Sequence, residues 1–321
     1  MQQSQAARER GALVPLVTKV LPPGNWAPFQ LRQLQTPVPR HLRSGGPRPN
    51  PFLPWEQQLE VERLASSHAV ILNKYPVQAG HLLLITQDWA PQSGWLGASD
   101  WQAVAHVDAD TTGLWFFNSS GRAGASQPHR HLQLLPRHRG EPNCPLEPAL
   151  RAQLQAEEPS WPWRYRLSRR PAGVESADLA ALYRRHALEL GLGDPAAGGE
   201  PSQPYNLLFT ASWFLTILRS REHAAGFSLN ALGFAGYLLL TERSDLAWLN
   251  RHGPWELLSA VAPAVTPAAY PAAYPAVDPA VEPGVEPGVE SAADPPEGHM
   301  SKALGQGDQG PATPSSGGLG G

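Results

Sequence analysis

Residues 118–133 read N-S-S-G-R-A-G-A-S-Q-P-H-R-H-L-Q, a Gly/Ser-rich turn that runs straight into histidines at alternate positions. If residues 129–135 are extended, successive side chains point to opposite faces. His129, His131 and Gln133 then share one face, while Leu132 and Leu134 point to a core. The preceding loop carries Gly121 and Gly124, whose missing side chains let backbone N–H groups come close to an anionic oxygen. Ser126 and Gln127 add a hydroxyl and an amide to it. The stretch therefore puts a candidate nucleophile beside a candidate phosphate cradle.

Working outward, residues 114–118 form an aromatic-rich strand that delivers the chain into this turn. Residues 98–110 place Trp101, Val104, Ala105 and Val107 at near-helical spacing, with Asp100 as the expected N-cap. Apolar runs at 68–75 and 81–87 flank a turn-like 76–80 and predict an antiparallel hairpin. Past the histidines, Trp163, Tyr165 and Leu167 alternate along an expected strand over 161–167. Leu179, Leu182, Tyr183, His186 and Leu190 stripe a helix over 176–190. Short paired strands follow at 205–210 and 213–218, then a Gly/Ala-punctuated segment at 228–240 that ends in an apolar run, and a closing helix at 245–258. Residues 11–54 mix prolines and glycines with short apolar pieces and are expected to wrap over a core rather than build one. From about residue 263 a four-residue unit drifts from P-A-A-Y to P-G-V-E. The unit is too short and proline-rich to stack as a solenoid, so disorder is the physical expectation.

A chain of 321 residues allows one or two folding units. With 25 Lys and Arg against 28 Asp and Glu, it lacks the cationic excess that holds a nucleic-acid backbone. No nucleic-acid partner is expected. Cys144 is the single cysteine, which excludes an internal disulfide and a multi-cysteine zinc cage and fits a reducing, cytoplasmic compartment. The polar first ten residues and the absence of a run of about 18 apolar residues argue against secretion and membrane insertion.

A neutral imidazole is a good nucleophile toward phosphorus, and its ordinary pKa of about 6.5 leaves it largely unprotonated at neutral pH. His131, central in the row, is the candidate. His129 or a backbone carbonyl could hold its other ring nitrogen. Gln133 can donate to a phosphoryl oxygen or accept from an attacking group, yet it cannot act as a general acid or base. Alternating histidines could also bind a metal, and an isolated H-x-H is more often structural or solvated; the attached Gly/Ser loop turns that balance toward function.

The segment G-A-S-Q-P-H-R-H-L-Q at 124–133 resembles the active-site signature of ATP adenylyltransferases, also called diadenosine tetraphosphate phosphorylases, a branch of the histidine triad superfamily. N-P-F-L-P (50–54), L-N-K-Y-P-V (72–77), H-L-L-L-I-T (81–86), F-F-N-S (116–119), Y-N-L-L-F-T (205–210) and S-L-N-A-L-G-F-A-G (228–236) resemble further blocks of that family, in its order. The resemblance implies an α+β fold, a histidine-triad-like antiparallel sheet with flanking helices, plus a disordered Pro-rich C-terminal tail. The resulting organisation is a partly ordered arm (1–49), a catalytic domain (50–262) and a low-complexity tail (263–321). The implied reaction is reversible phosphorolysis. His131 attacks the α-phosphorus of diadenosine tetraphosphate, expels ATP and holds AMP as a phosphoramidate, and inorganic phosphate then releases ADP.

By the same resemblance, Gln133 stands where hydrolytic members carry a third histidine, and it goes with phosphate acceptors rather than water. Ser126 and Gln127 would contact phosphate oxygens beside Gly124, Asn118 the ribose or α-phosphate region, and Lys74 the polyphosphate. Asn206 and Asn230 are weaker candidates, and His68, His81, His106, His138 and His186 read as surface or packing residues. The family's Pro-Arg pair is here Leu218-Arg219, which leaves the arginine's orientation open. A divalent cation, Mg²⁺ by preference, would travel with the nucleotide, with no organic cofactor and no protein metal site. The partners implied are diadenosine tetraphosphate, ATP, ADP and phosphate, and the sequence does not fix an oligomeric state. Competing readings are a related hydrolase, a uridylyltransferase with the same H-x-H-x-Q, and a non-catalytic dinucleotide sensor.

Overall fold

The computed structural model describes residues 2–36, 50–138, 140–156, 161–170 and 175–265. The first elements in chain order are α1 (Gln2–Glu9), β1 (Thr18–Val20), β2 (Gln30–Leu34), β3 (Glu60–Leu64), β4 (His68–Leu72), β5 (Leu82–Thr86), α2 (Ala98–Asp110), β6 (Gly113–Asn118) and β7 (His131–Pro136). Next come α3 (Glu147–Ala156), β8 (Tyr165–Arg169), α4 (Ser176–Glu189), β9 (Tyr205–Phe209) and β10 (Trp213–Leu218). The series closes with β11 (His223–Ala224), β12 (Phe227–Ser228), α5 (Ala231–Phe234), β13 (Tyr237–Leu240) and α6 (Leu246–Ser259).

Eight strands make one antiparallel sheet in the order β3-β4-β5-β7-β6-β9-β10-β8. Strands β4, β6, β9 and β10 are buried along their whole length. Each accordingly reads as a mostly apolar run, because both of its faces are covered, with His68, Asn118, Asn206 and Thr216 as the buried polar exceptions. One face carries Val70, Leu84, Trp115, Phe117, Leu132 and Phe209 beneath α2 and α4, which contribute Trp101, Val104, Leu179 and Tyr183.

The other face is covered in two separate patches. At one end Ile71, Leu83 and Ile85 pack with Phe52, Leu59 and the α1 region. At the other, Leu114, Phe116, Leu135 and Leu208 pack with Phe234, Leu257 and Leu258. His131 stands opposite Ile85, and Gln133 lies between Leu83 and Phe116. The histidine face of β7 thus falls on the seam between the two patches, where the sheet can meet a ligand. The mixed α+β class with an antiparallel main sheet is as expected.

Several local expectations are corrected. Asp100 is not the N-cap of α2. Gly97 holds that position in extended backbone, and the Asp100 carboxylate reaches back from inside the first turn to accept the Gly97 N–H at 2.7 Å, satisfying a donor that the helix start leaves unpaired. Residues 11–54 do more than wrap over the core. Phe29 and Leu31 are part of it, and β2 pairs antiparallel with β1 and parallel with β13, from Tyr237↔Gln30 to Leu240↔Gln33. Edge strand β8 starts at Tyr165, while the buried Trp161 and Trp163 precede it in a non-strand segment. That segment is tied to residues just past the expected domain end, through Arg164 N–H to Pro263 O (2.9 Å) and Val265 N–H to Pro162 O (3.1 Å). From residue 266 onward, the expected Pro-rich tail lies outside the described residues.

Candidate active site

His131 opens β7, and a buried glutamine fixes its backbone. Gln92 Oε1 accepts the His131 N–H at 2.8 Å, and Gln92 Nε2 donates to the carbonyls of Asn118 (2.8 Å) and His131 (3.1 Å). The ring is fixed as well. His131 Nδ1–H donates to the His129 carbonyl at 2.8 Å, so the lone pair of the neutral ring lies on Nε2. No described residue hydrogen-bonds that Nε2. Burial draws the His131 pKa down to about 4, because the charged form is penalised away from water. The ring is therefore neutral at physiological pH, with the lone pair on Nε2 unprotonated.

His129 precedes the strand and is fully buried. Asn50 Oδ1 accepts the Phe52 N–H at 3.0 Å, which turns Asn50 Nδ2 toward His129 Nδ1 at 2.9 Å. Nδ1 therefore accepts, and Nε2–H donates to the Thr86 carbonyl at 2.9 Å. Both nitrogens are spoken for, so His129 serves His131 through its backbone carbonyl. Of the two alternatives for holding the second nitrogen of His131, the carbonyl is the one used. Phe52 sits against both rings, with centroids 5.5 Å from His129 and 5.4 Å from His131.

The residue between them, Arg130, reaches for the other face. Its guanidinium donates to the Pro91 carbonyl (3.2 and 2.9 Å) and to Asp100 (3.2 Å), whose other oxygen meets His68 at 3.1 Å. Alternation along H-R-H thus ties the histidine strand to α2 while leaving its chemical face free.

The loop ahead of the histidines is one 3₁₀ turn, Gly121–Ala123, closed by Gly124 at φ 89°. A Cβ on Gly124 would lie 2.6 Å from Asn230 Cβ and 2.7 Å from Leu229 O, so close packing and the left-handed backbone both require glycine there. Ser126 is exposed and Gln127 half-buried. Their backbone N–H groups have no hydrogen-bond partner among the described residues, which suits an anion-binding loop. Beneath it, the Ala123 carbonyl accepts from Asn206 Nδ2 (2.9 Å) and from Arg219 (3.2 Å). The orientation that the sequence left open for Arg219 is inward. It is buried and donates to the carbonyls of Val261, Ala123, Arg221 and Leu229 and to Asn206 Oδ1. Burial lowers its pKa to about 10, so it stays charged at neutral pH. Asn118 is buried, with Oδ1 accepting from Asn206 Nδ2 and from the Ala231 N–H, both at 2.9 Å. This fixes its amide and leaves Nδ2 as the free donor.

The structure thus brings His129, His131, Gln133, Asn118 and the Gly124–Gln127 loop together. Lys74, next to the Asn73 that bonds His81, is ion-paired with Glu56 and lies over the Tyr75 ring. Three residues escaped the sequence reading as site components, Asn50, His81 and Gln92, while Arg219 was named there with its orientation open. Of the surface and packing alternatives for His81, the structure shows burial, and it adds a link to the site. His81 is buried against Phe116 and hydrogen-bonds Gln133 at 3.1 Å. The recurrence of Asn-x-aromatic at 50–52 and 73–75 was the one available signal. Cys144 is buried with its thiol pushed up to about 12, so it is no nucleophile. No helix among the described residues is long and apolar enough to cross a membrane.

Residues 1–152 match the family model of the Ap4A phosphorylase N-terminal domain, and residues 159–264 that of the ATP adenylyltransferase C-terminal domain. Among curated proteins, diadenosine 5',5'''-P1,P4-tetraphosphate phosphorylase 2 of Saccharomyces cerevisiae is 26% identical over 211 residues, covering 56% of this chain and 64% of the relative. Protein APA1 of the same yeast is 25% identical over 212 residues, covering 56% and 63%. The matched region spans a little under two thirds of either relative. Among solved structures, yeast Ap4A phosphorylase Apa2 aligns with a TM-score of 0.63 at 20% identity, covering 81% of this chain and 95% of that one. Its complex with AMP aligns at 0.65 and 19%, covering 84% and 96%. At that identity the likeness is one of fold. Two successive family matches, over residues 1–152 and 159–264, establish that the chain belongs to the Ap4A phosphorylase and ATP adenylyltransferase family.

Proposed function

We propose that this protein is a nucleotidyltransferase that cleaves diadenosine tetraphosphate with inorganic phosphate, reversibly, to ATP and ADP, through an adenylyl group carried on His131. The observation that carries the reading is the His131 Nδ1–H bond to the His129 carbonyl, which leaves an unprotonated Nε2 on a sheet face beside an anion-binding loop. In the first step Nε2 bonds to the α-phosphorus as the bond to the leaving polyphosphate oxygen breaks, and ATP departs. The ring then carries positive charge, which the His129 carbonyl stabilises. In the second step a phosphate oxygen bonds to that phosphorus, the P–N bond breaks, and ADP leaves. Dividing one displacement into two lowers each barrier, and the loop N–H groups and Asn118 Nδ2 are placed to donate to phosphoryl oxygens. Ser126 and Gln127 belong to that cradle. Lys74 would join it only by leaving Glu56. The yeast protein solved in complex with Ap4A supports this substrate class.

No group of three or more His, Cys, Asp or Glu side chains suited to a metal converges among the described residues. A divalent cation carried on the polyphosphate, with water completing its shell, would neutralise charge there. The histidine row also supports a place in the histidine triad superfamily, and the free Cys144 accords with a reducing, cytoplasmic setting. Incubating the protein with diadenosine tetraphosphate and Mg²⁺, with and without phosphate, tests the reading. ATP plus ADP should form only with phosphate, and chelating the Mg²⁺ should suppress turnover. Formation of ATP plus AMP at the same rate without phosphate would instead make the protein a hydrolase.

A further inference from the structure

A chain of hydrogen bonds enters the site from the β4–β5 turn, and its direction is set at its head by a backbone N–H, which can only donate. The Tyr75 N–H donates to Asn73 Oδ1 at 3.2 Å. That turns Asn73 Nδ2 toward His81 Nδ1 at 3.0 Å, so Nδ1 accepts. The proton of the neutral ring then lies on Nε2, which donates to Gln133 Oε1 at 3.1 Å. We propose that His81 is a positioning residue that locks the Gln133 amide with Oε1 turned away and its NH₂ presented to the site, and that this polarity selects phosphate over water as the adenylyl acceptor.

The inference rests on the adenylyl-transfer reading and adds what decides its second step. Hydrogen phosphate attacks through an oxygen that carries no proton, so bonding to phosphorus and breaking of the P–N bond leave no proton to remove at that atom. Water must lose a proton as it attacks. The amide takes that proton in neither orientation; offering only donors, it holds phosphate oxygens but gives an attacking water no acceptor to hold and aim it. Had His81 carried its proton on Nδ1, Gln133 could turn Oε1 outward and offer an acceptor to water. The packing opposes that. His81 is buried, its ring lies 5.6 Å from Phe116, and burial draws its pKa down to about 4, keeping the ring neutral.

Two variants of the full chain separate the effect from loss of fold. His81→Phe keeps a ring against Phe116 and removes the donor. Asn73→Ala leaves His81 in place and frees its tautomer. With diadenosine tetraphosphate and phosphate, each variant that retains a cooperative thermal transition should show about a tenfold lower kcat/KM for phosphate, the loss expected for one hydrogen bond. Each should also show a raised ratio of AMP to ADP, which a merely structural role would not produce. ¹⁵N NMR of the wild-type chain should place the His81 proton on Nε2. An unchanged AMP to ADP ratio in either folded variant, or a wild-type His81 protonated on Nδ1, overturns the proposal. If the wild type makes no ATP at all, the adenylyl-transfer reading fails by itself, and the NMR signal still decides whether Gln133 is held as a donor.

Discussion

His131 Nδ1 lies 2.8 Å from the backbone carbonyl of His129, two residues earlier in the chain. Because a carbonyl rather than a carboxylate orients the ring, the imidazole stays neutral, and in the proposed reaction it gains charge only on bonding to phosphorus. The acceptor also belongs to the backbone, so it survives replacement of the His129 side chain.

The two histidines should therefore respond unequally to substitution. His131→Ala should lower turnover of diadenosine tetraphosphate by at least about a thousandfold, since the bond-forming atom is gone. His129→Ala keeps the carbonyl and loses only the anchoring to Asn50 and Thr86, for a cost of roughly ten- to a hundredfold. Initial rates of ATP release measure both, and a more damaging His129→Ala would reverse the assignment of roles.

Acid should act on rate and stability alike. Burial holds His131 and His81 down at about 4 and His186 at about 3, against an ordinary value of about 6.5 in the unfolded chain. Below that ordinary value the unfolded chain binds protons that the folded one refuses. Stability should thus be full above pH 6.5 and fall progressively as pH drops toward 4. The nucleophile stays unprotonated over most of that interval, so kcat at saturating substrate should be lost nearer pH 4 than pH 6.5. Thermal midpoints and kcat recorded across pH 4–8 test both, and a midpoint independent of pH would refute the linkage.

Gln92 is 2% exposed and meets one N–H and two carbonyls. Gln92→Leu leaves all three buried groups unpaired, at about 1–3 kcal/mol for each that no water can reach. A clear fall in the thermal midpoint should accompany a reduced kcat, because the His131 backbone loses its clamp. Calorimetry together with single-turnover rates would show whether both effects arise.

Gly124→Ala would place a methyl group 2.6 Å from Asn230 Cβ at φ 89°. We expect a loss of about 1–3 kcal/mol from strain and contact and a raised KM for the dinucleotide as the loop shifts. The neighbouring Gly121 has open space around its Cβ position, so Gly121→Ala should be far milder by the same two measurements.

Alternation and apolar run length determined much of this protein before any coordinates. The hairpin at 68–87, the helix over 98–110, the buried strands 114–118, 205–210 and 213–218, and the shared face of His131 and Gln133 all follow from local periodicity, which depends on near neighbours alone. Pairings between distant segments were not legible in the same way. The β2–β13 ladder joins residues 30–33 to 237–240, and the Asn50–His129 and His81–Gln133 bonds span 79 and 52 positions. Arg219 read as an open question and proved to be a buried cation bracing the loop at Ala123, since only its contacts with Val261 and Leu229 determine which way it turns. The sequence by itself determined which groups could do chemistry, because residue type and spacing set the candidate nucleophile, the candidate cradle and the strand face. Only the tertiary structure decided which proton each of those groups carries, because tautomer and amide orientation are set by partners that the fold brings from far along the chain.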